Sequence, residues 1–332
     1  MSQENWRKRL MIERWTREFF WALDYTETRT PLLVMSPGME PHIRPIEVAP
    51  GVFLPTSPEF AMKKLLAKGL PRIFQICSSF RDEPRSPEHS PEFTMLEFYE
   101  TNISLEALQT RVENLFLFLS QKLTENFSQS SKVNLSAPWP RFKINDLFIQ
   151  HAGIDLRNST SKQLSELCNQ HHLPANSDEP WDDLYFKIWL NLVEPNLPTH
   201  QPCFVTHYPV SQSSLCNKVK DAQGFEWANR FEVFVGKLEL GNAFDELRDS
   251  KIQRENFLKD QHIRKETYGV TFPTSPMDEE LLTAIEHMPP TCGIAIGLDR
   301  LAMLLLNAGT IEEVIPLASH WRKEVDFGNE AT

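Results

Sequence analysis

Leu10, Met11, Trp15, Phe19 and Leu23 recur at helical spacing with Arg7, Lys8, Arg9, Glu13 and Arg17 between them, which predicts an amphipathic helix over residues 5–23. Beyond it the chain turns extended at residues 32–35, and short apolar runs broken by Pro and Gly continue to residue 54. A helix over 58–68 stops at Gly69. Two strand-like runs follow, 73–80 and 93–99, joined by a polar stretch rich in Pro and Ser. Ser104 then caps a helix whose Leu105, Leu108, Val112, Leu115 and Leu119 form one stripe. After a polar connection at 125–137, the pattern from about 142 to 200 is mostly helical, with helices near 161–170 and from Pro180 to Val193; this segment reads as an insertion. Strands return at 203–208 and 231–240, helices at 249–268 and 277–287, and a strand at 293–296 feeds a helix over 298–307. Helices and antiparallel-looking strands in blocks, without regular βαβ alternation, predict an α+β fold, an antiparallel sheet flanked by helices.

Composition narrows the function. Hydrophobic residues make up 41% of the 332 and charged ones 24%, enough for a substantial core. The net charge of −11 argues against a protein held to nucleic acid by a broad basic face, while a local basic groove stays open. Only 12 residues are glycine, and neither GxxxxGK[ST] nor GxGxxG occurs, so P-loop and dinucleotide-fold readings lose their main support. The five cysteines are far apart and form no CxxC pair, which reads as reduced thiols rather than a disulfide framework or zinc ribbon. Cys168, His171 and His172 lie at helical spacing without an evident fourth ligand and read as structural. The polar N-terminus lacks a signal-peptide pattern and no apolar run approaches the ~20 residues of a membrane span, so a cytoplasmic protein without a membrane partner is expected.

Three constellations carry candidate chemistry. In Phe80-Arg81-Asp82-Glu83, strand alternation puts Arg81 and Glu83 on one face; in the run from His89 and Ser90 through Phe93 to Tyr99, Glu97 and Tyr99 share a face opposite Leu96 and Phe98. Such a pair of strands suits a bound polyanion with a cation beside it, or else is a solvated hairpin. In the second, Gly236-Lys237 forms a two-residue turn that sets 235 opposite 238 and 234 opposite 239, making Glu232 and Glu239 diagonal neighbours. Two carboxylates that close want a cation between them, and hard oxygens suit Mg²⁺; the alternative is two unrelated surface glutamates. In the third, the small residues Gly293, Ala295 and Gly297 give one strand face a shallow floor, followed by Arg300 in an otherwise apolar helix. Ordinary packing would also produce it.

Together the three resemble a known family. The run from Phe80 to Tyr99 is similar to motif 2 of class II aminoacyl-tRNA synthetases, the run from Gly293 through Arg300 to motif 3, and Arg29-Thr30-Pro31 to the shorter motif 1, which implies a homodimer. Thr56-Ser57-Pro58-Glu59-Phe60 and the run from Glu239 to Glu246 point to the lysyl branch. Motif 1 falls within the first stretch of chain, leaving no room for an anticodon-binding domain. The truncated form resembles the elongation factor P–lysine ligase family, a single synthetase-like catalytic domain over 1–332 with the insertion at about 142–200.

That resemblance implies ATP-dependent activation of (R)-β-lysine, or lysine, as an adenylate and its transfer to a lysine side chain of elongation factor P, with ATP and Mg²⁺ and without tRNA. It implies that Arg81 clamps the α-phosphate and substrate carboxylate, that Glu83 holds the adenine amino group and Phe93 stacks on the ring opposite Arg300, and that His89, Ser90, Leu240 and Gly297 complete the ATP site. Glu232 and Glu239 would hold Mg²⁺. Glu246 and Tyr99 would take the substrate's ε-ammonium, with Ser57, Pro58, Glu59, Glu97 and Asn242 around it. Ala295 stands where tRNA-charging lysyl enzymes have glycine; one methyl there is worth about 1–3 kcal/mol of discrimination, in favour of an amine displaced by one carbon. The loop Pro84-Arg85-Ser86-Pro87-Glu88 is more proline-rich and acidic than the family's, and Ser90 replaces an asparagine.

Overall fold

Residues 3–269, 272–273 and 275–315 are described by the structure, a computed structural model. The readings made for Met1, Ser2 and the end of the 1–332 unit lie outside them. The stripe of the first helix builds α1 (Gln3–Trp21), whose Ile12, Trp15 and Phe20 are buried; Phe20 stacks on Phe74, ring centroids 4.8 Å apart, and tilts against Phe98 at 4.7 Å. The Ser104 hydroxyl accepts from the Ala107 amide and starts α3 (Leu105–Phe127), and Leu108, Val112, Leu115 and Leu119 are all fully buried. α9 (Leu298–Leu306) joins these two helices, and together they cover one face of the central sheet. Asp299, at the start of α9, locks the layer: it accepts from Arg9 at 2.8 and 3.1 Å and from the Thr94 amide at 2.6 Å.

The sheet is nine-stranded among the described residues, in the order β1 (Thr26–Glu27), β4 (Arg72–Phe80), β5 (Glu92–Thr101), β11 (Thr291–Gly297), β10 (Leu238–Asp245), β9 (Glu226–Val235), β7 (Cys203–Tyr208), β6 (Arg141–Lys143), with β8 (Lys218–Lys220) beside β9. A separate two-stranded ribbon pairs β2 (Glu47–Ala49) with β3 (Val52–Phe53). The expected antiparallel sheet holds only at the centre: β1 runs parallel to β4 and β6 parallel to β7, so the sheet is mixed, its parallel pairs confined to the edges. The fold is α+β, as the blocked pattern implies.

On the opposite face, α2 (Glu59–Ala67), α7 (Ser250–Tyr268) and α8 (Glu279–Ile285) pack at one end through Phe60, Phe257, Leu281 and Ile285. At the other end α4 (Ile144–Ala152), α5 (Ser161–Gln170) and α6 (Trp181–Ile188) pack on Cys203, Val205 and Phe234. The helix read over 180–193 stops at Ile188 and continues as one π-helical turn, Trp189–Val193, a distortion that turns up often at functional sites. Between the two helical groups the face is open.

Candidate active site

The open stretch is a cavity of about 490 Å³. One register line crosses its floor: Glu97 on β5 pairs with Ala295 on β11, Ala295 with Asn242 on β10, and Asn242 with Glu232 on β9. Successive strands thus set a carboxylate, a methyl, an amide and a second carboxylate side by side, while Leu96, Ile294, Ile296 and Ala243 alternate into the core beneath. Arg81, Glu83, His89, Phe93, Glu239, Gly297 and Arg300 line the same cavity, as do Ser57, Glu59 and Ser90. All three sequence constellations therefore open onto one space.

Several expectations need correction. β4 ends at Phe80, so Arg81 and Glu83 do not share a strand face; the proline-rich segment cannot donate to a ladder. Instead the Arg81 amide donates to Pro91 O at 2.9 Å and the Glu83 amide to Arg81 O at 2.9 Å, a tight turn. The turn at Gly236-Lys237 sets 235 opposite 238 and 234 opposite 239, but a bulge between Glu239 and Gly241 then shifts the register, placing Glu232 opposite Asn242 and burying the Leu240 side chain in the core. Phe93 carries the Arg81 guanidinium over its ring at 5.2 Å and lines the cavity together with Arg300. Gly293 does not contribute to an open floor: a Cβ there would meet the Tyr99 ring at 2.1 Å, so glycine is what lets the ring lie over the strand. Tyr99, Glu246 and Pro58 do not line the cavity. Pro58 caps the start of α2, and Tyr99 and Glu246 are buried behind the wall.

One end of the cavity is held by Arg300. It donates to Glu239 O at 2.9 Å, to Glu88 O at 3.2 Å and to His89 Nε2 at 2.8 Å, which ties the 84–91 loop to α9. Burial and the Arg300 guanidinium hold the His89 imidazole below its ordinary range, so it stays neutral, with Nδ1 toward the Ser86 hydroxyl at 2.6 Å.

Glu232 accepts from the Tyr208 hydroxyl at 2.7 Å and pairs with Arg230, which also donates to Asn242 Oδ1 at 2.8 Å. Burial, together with the Glu239 carboxylate, pushes Glu232 up to about 7 even against the Arg230 charge. Glu232 and Glu239 line one cavity and are hard oxygen donors, which fits a Mg²⁺ ion; Mg²⁺ commonly takes one or two carboxylates along with substrate phosphates. Among the described residues no group of three or more His, Cys, Asp or Glu gathers as a metal cage, and Cys168 with His171 and His172 forms none.

The opposite end is anionic. Glu97 is fully buried, accepts from the Tyr99 hydroxyl at 2.8 Å, and leaves Oε1 without a hydrogen-bond partner. Burial and the Glu59 carboxylate push it up to about 8. Glu246, likewise pushed to about 8 by burial and by Glu59 and Glu97, pairs with the Lys63 ammonium at 2.6 Å, and Lys63 also meets Glu59 at 2.6 Å. Sequence reading missed Lys63, although Glu59 and Lys63 stand at i,i+4. It also missed Glu40 and the aromatic wall of Tyr185, Phe186 and Trp189 that the insertion turns toward the cavity. Tyr185 and Phe186 stand on regular α6 and Trp189 opens the π-turn that follows it.

A family model described as tRNA synthetases class II (D, K and N) matches residues 1–320. The elongation factor P–(R)-β-lysine ligase of Pseudoalteromonas translucida (strain TAC 125) is 35% identical over 321 residues, 93% of either chain. Proteins of the same name from Edwardsiella ictaluri (strain 93-146) and Salmonella typhi are 35% identical over 320 residues and 34% identical over 326, with at least 93% of each chain covered. At that identity and coverage the chain belongs to the class II tRNA synthetase family, within its elongation factor P–lysine ligase branch, and is a ligase.

Proposed function

We propose that the chain uses ATP to activate a lysine-type diamino acid, (R)-β-lysine or lysine, as its adenylate and passes the acyl group to a lysine side chain of elongation factor P. The observation that carries this reading is the polarity of one cavity: guanidinium groups at one end, and at the other a buried carboxylate, Glu97, with an oxygen left for a ligand's ammonium. In the first step a substrate carboxylate oxygen bonds to the α-phosphorus and pyrophosphate leaves. In the second the acceptor amine bonds to the acyl carbon, AMP leaves and a proton is released. Neither step needs a protein nucleophile; orientation and charge neutralisation do most of the work.

Arg81 and Arg300 are the residues we assign to phosphate and carboxylate, with Glu83, Phe93 and Gly297 around the base. Glu232 and Glu239 would hold Mg²⁺, which neutralises phosphate charge when bound. Ala295, between Glu97 and Asn242, would set how deep the substrate's inner amine sits. Amino-acid-dependent ATP–pyrophosphate exchange, followed by mass spectrometry of elongation factor P, tests the reading. A mass gain on elongation factor P with no aminoacylated tRNA supports it, and exchange driven best by aspartate, or transfer to tRNA, rejects it.

A further inference from the structure

Glu40 lies outside every motif and yet reaches the cavity. Its backbone is fastened: the Arg264 guanidinium of α7, itself buried, donates to Gly38 O at 3.0 Å and to Glu40 O at 2.8 and 3.2 Å, and the Thr56 hydroxyl donates to Pro37 O at 2.7 Å. Gly38 has φ +150°, and a Cβ on it would meet Thr56 Oγ1 at 2.6 Å and Glu40 Oε2 at 2.7 Å, so glycine gives the carboxylate the room to fold inward. Glu40 Oε2 is buried without a hydrogen-bond partner. A carboxylate held this way by a rigid loop is costly unless a cation completes it. Burial and the Glu59 carboxylate raise its pKa, and Arg81 only partly offsets them.

We propose that Glu40 is a specificity-determining residue: with Glu59 it receives the ammonium nearest the substrate's carboxyl group, while fully buried Glu97, whose own Oε1 is unpartnered, receives the distal one. This rests on the diamino-acid reading above. The placement follows from Arg81, which lines the same cavity as Glu40 and Glu59 and is assigned to the substrate carboxylate; the inner amine of a diamino acid lies one or two carbons from that group.

Calorimetric titration of the wild-type chain, Glu40→Gln and Glu40→Asp with (R)-β-lysine, L-lysine and ε-aminocaproate, which lacks the inner amine, tests it. Glu40→Gln should weaken (R)-β-lysine or lysine by about 10-fold or more while leaving ε-aminocaproate unchanged. Glu40→Asp, which keeps the charge, should retain part of the preference, and Glu40→Gln should melt no lower than wild type because an unpartnered buried charge is gone. Equal weakening of all three ligands, no weakening of the diamino acids, or a lower melting temperature for Glu40→Gln overturns the assignment. Wild-type protein that binds none of the three rejects the diamino-acid reading itself.

Discussion

Lys63→Met isolates what a single buried ammonium does. The Lys63 side chain is 2% exposed and meets Glu59 and Glu246 at 2.6 Å each, and Glu97 stands in the same cluster. Methionine keeps most of the volume, so the change removes charge rather than opening a void. Stripping one partner from a buried ion pair costs about 3–5 kcal/mol. With an unfolding entropy of about 2 cal/mol/K per residue, the melting temperature of a chain of 332 residues should fall by about 4–7 °C at neutral pH. The loss should depend on pH in one direction. Glu246 already titrates near 8 in the folded chain and will titrate higher without its cation. Where a folded carboxyl sits above its unfolded value of 4.5, the native state holds extra protons, so the stability it contributes is full below that value and is lost as pH rises through the folded one. Lys63 itself is raised above its ordinary 10.5 and stays charged across this window. Thermal melts by circular dichroism should therefore show a near-constant gap between wild type and variant up to about pH 8, widening only above it, where Glu246 ionises in the wild type but not yet in the variant. A gap that stays constant above about pH 8, or one below about 1 kcal/mol, would refute the idea that the Lys63 charge favours ionised Glu246.

Arg9→Ala leaves Asp299 buried against the Thr94 amide alone and should cost about 3 kcal/mol, seen as a lower urea midpoint with unchanged slope. Ala295→Gly should move the exchange preference toward α-lysine by a factor of about 10 or more; unaltered relative rates remove the reason for favouring (R)-β-lysine. Because Glu97 titrates near 8, the KM for a diamino acid in exchange assays should fall as pH rises through that value, and Glu97→Gln should abolish the dependence. Arg300→Lys cannot reproduce contacts to Glu88 O, Glu239 O and His89 together, and should cut exchange by about 10²-fold while leaving the fold intact by circular dichroism.

Much of the architecture could be read from local pattern because its causes are local. The α3 stripe, its Ser104 cap and the Gly236-Lys237 turn are each decided within a few residues, and the parity of Glu97 and Tyr99 against Leu96 and Phe98 follows from pleating alone. What was misread depends on partners far along the chain. The bulge after Glu239 moves Asn242 opposite Glu232, and its one local sign is Gly241 inside the strand. Lys63, in a run with Lys64, looks like solvent-facing charge until Glu246 arrives from β10's end to meet it. Glu40 sits in a loop whose shape is imposed by Arg264 of α7. The parallel edge pairs likewise follow from where the chain returns, not from the composition of β1 or β6.

The line from Glu97 through Ala295 and Asn242 to Glu232 has a consequence for how the molecule opens. Its four strands come from three separate stretches of chain, so no segment can hold the floor by itself, and a partly assembled sheet has nothing on which a ligand could rest. Binding therefore adds its free energy to complete assembly of the middle strands, while β1 and β6 at the margins can fray without releasing what is held. Deuterium uptake in β5, β10 and β11 should slow together on saturation, as one cooperative block.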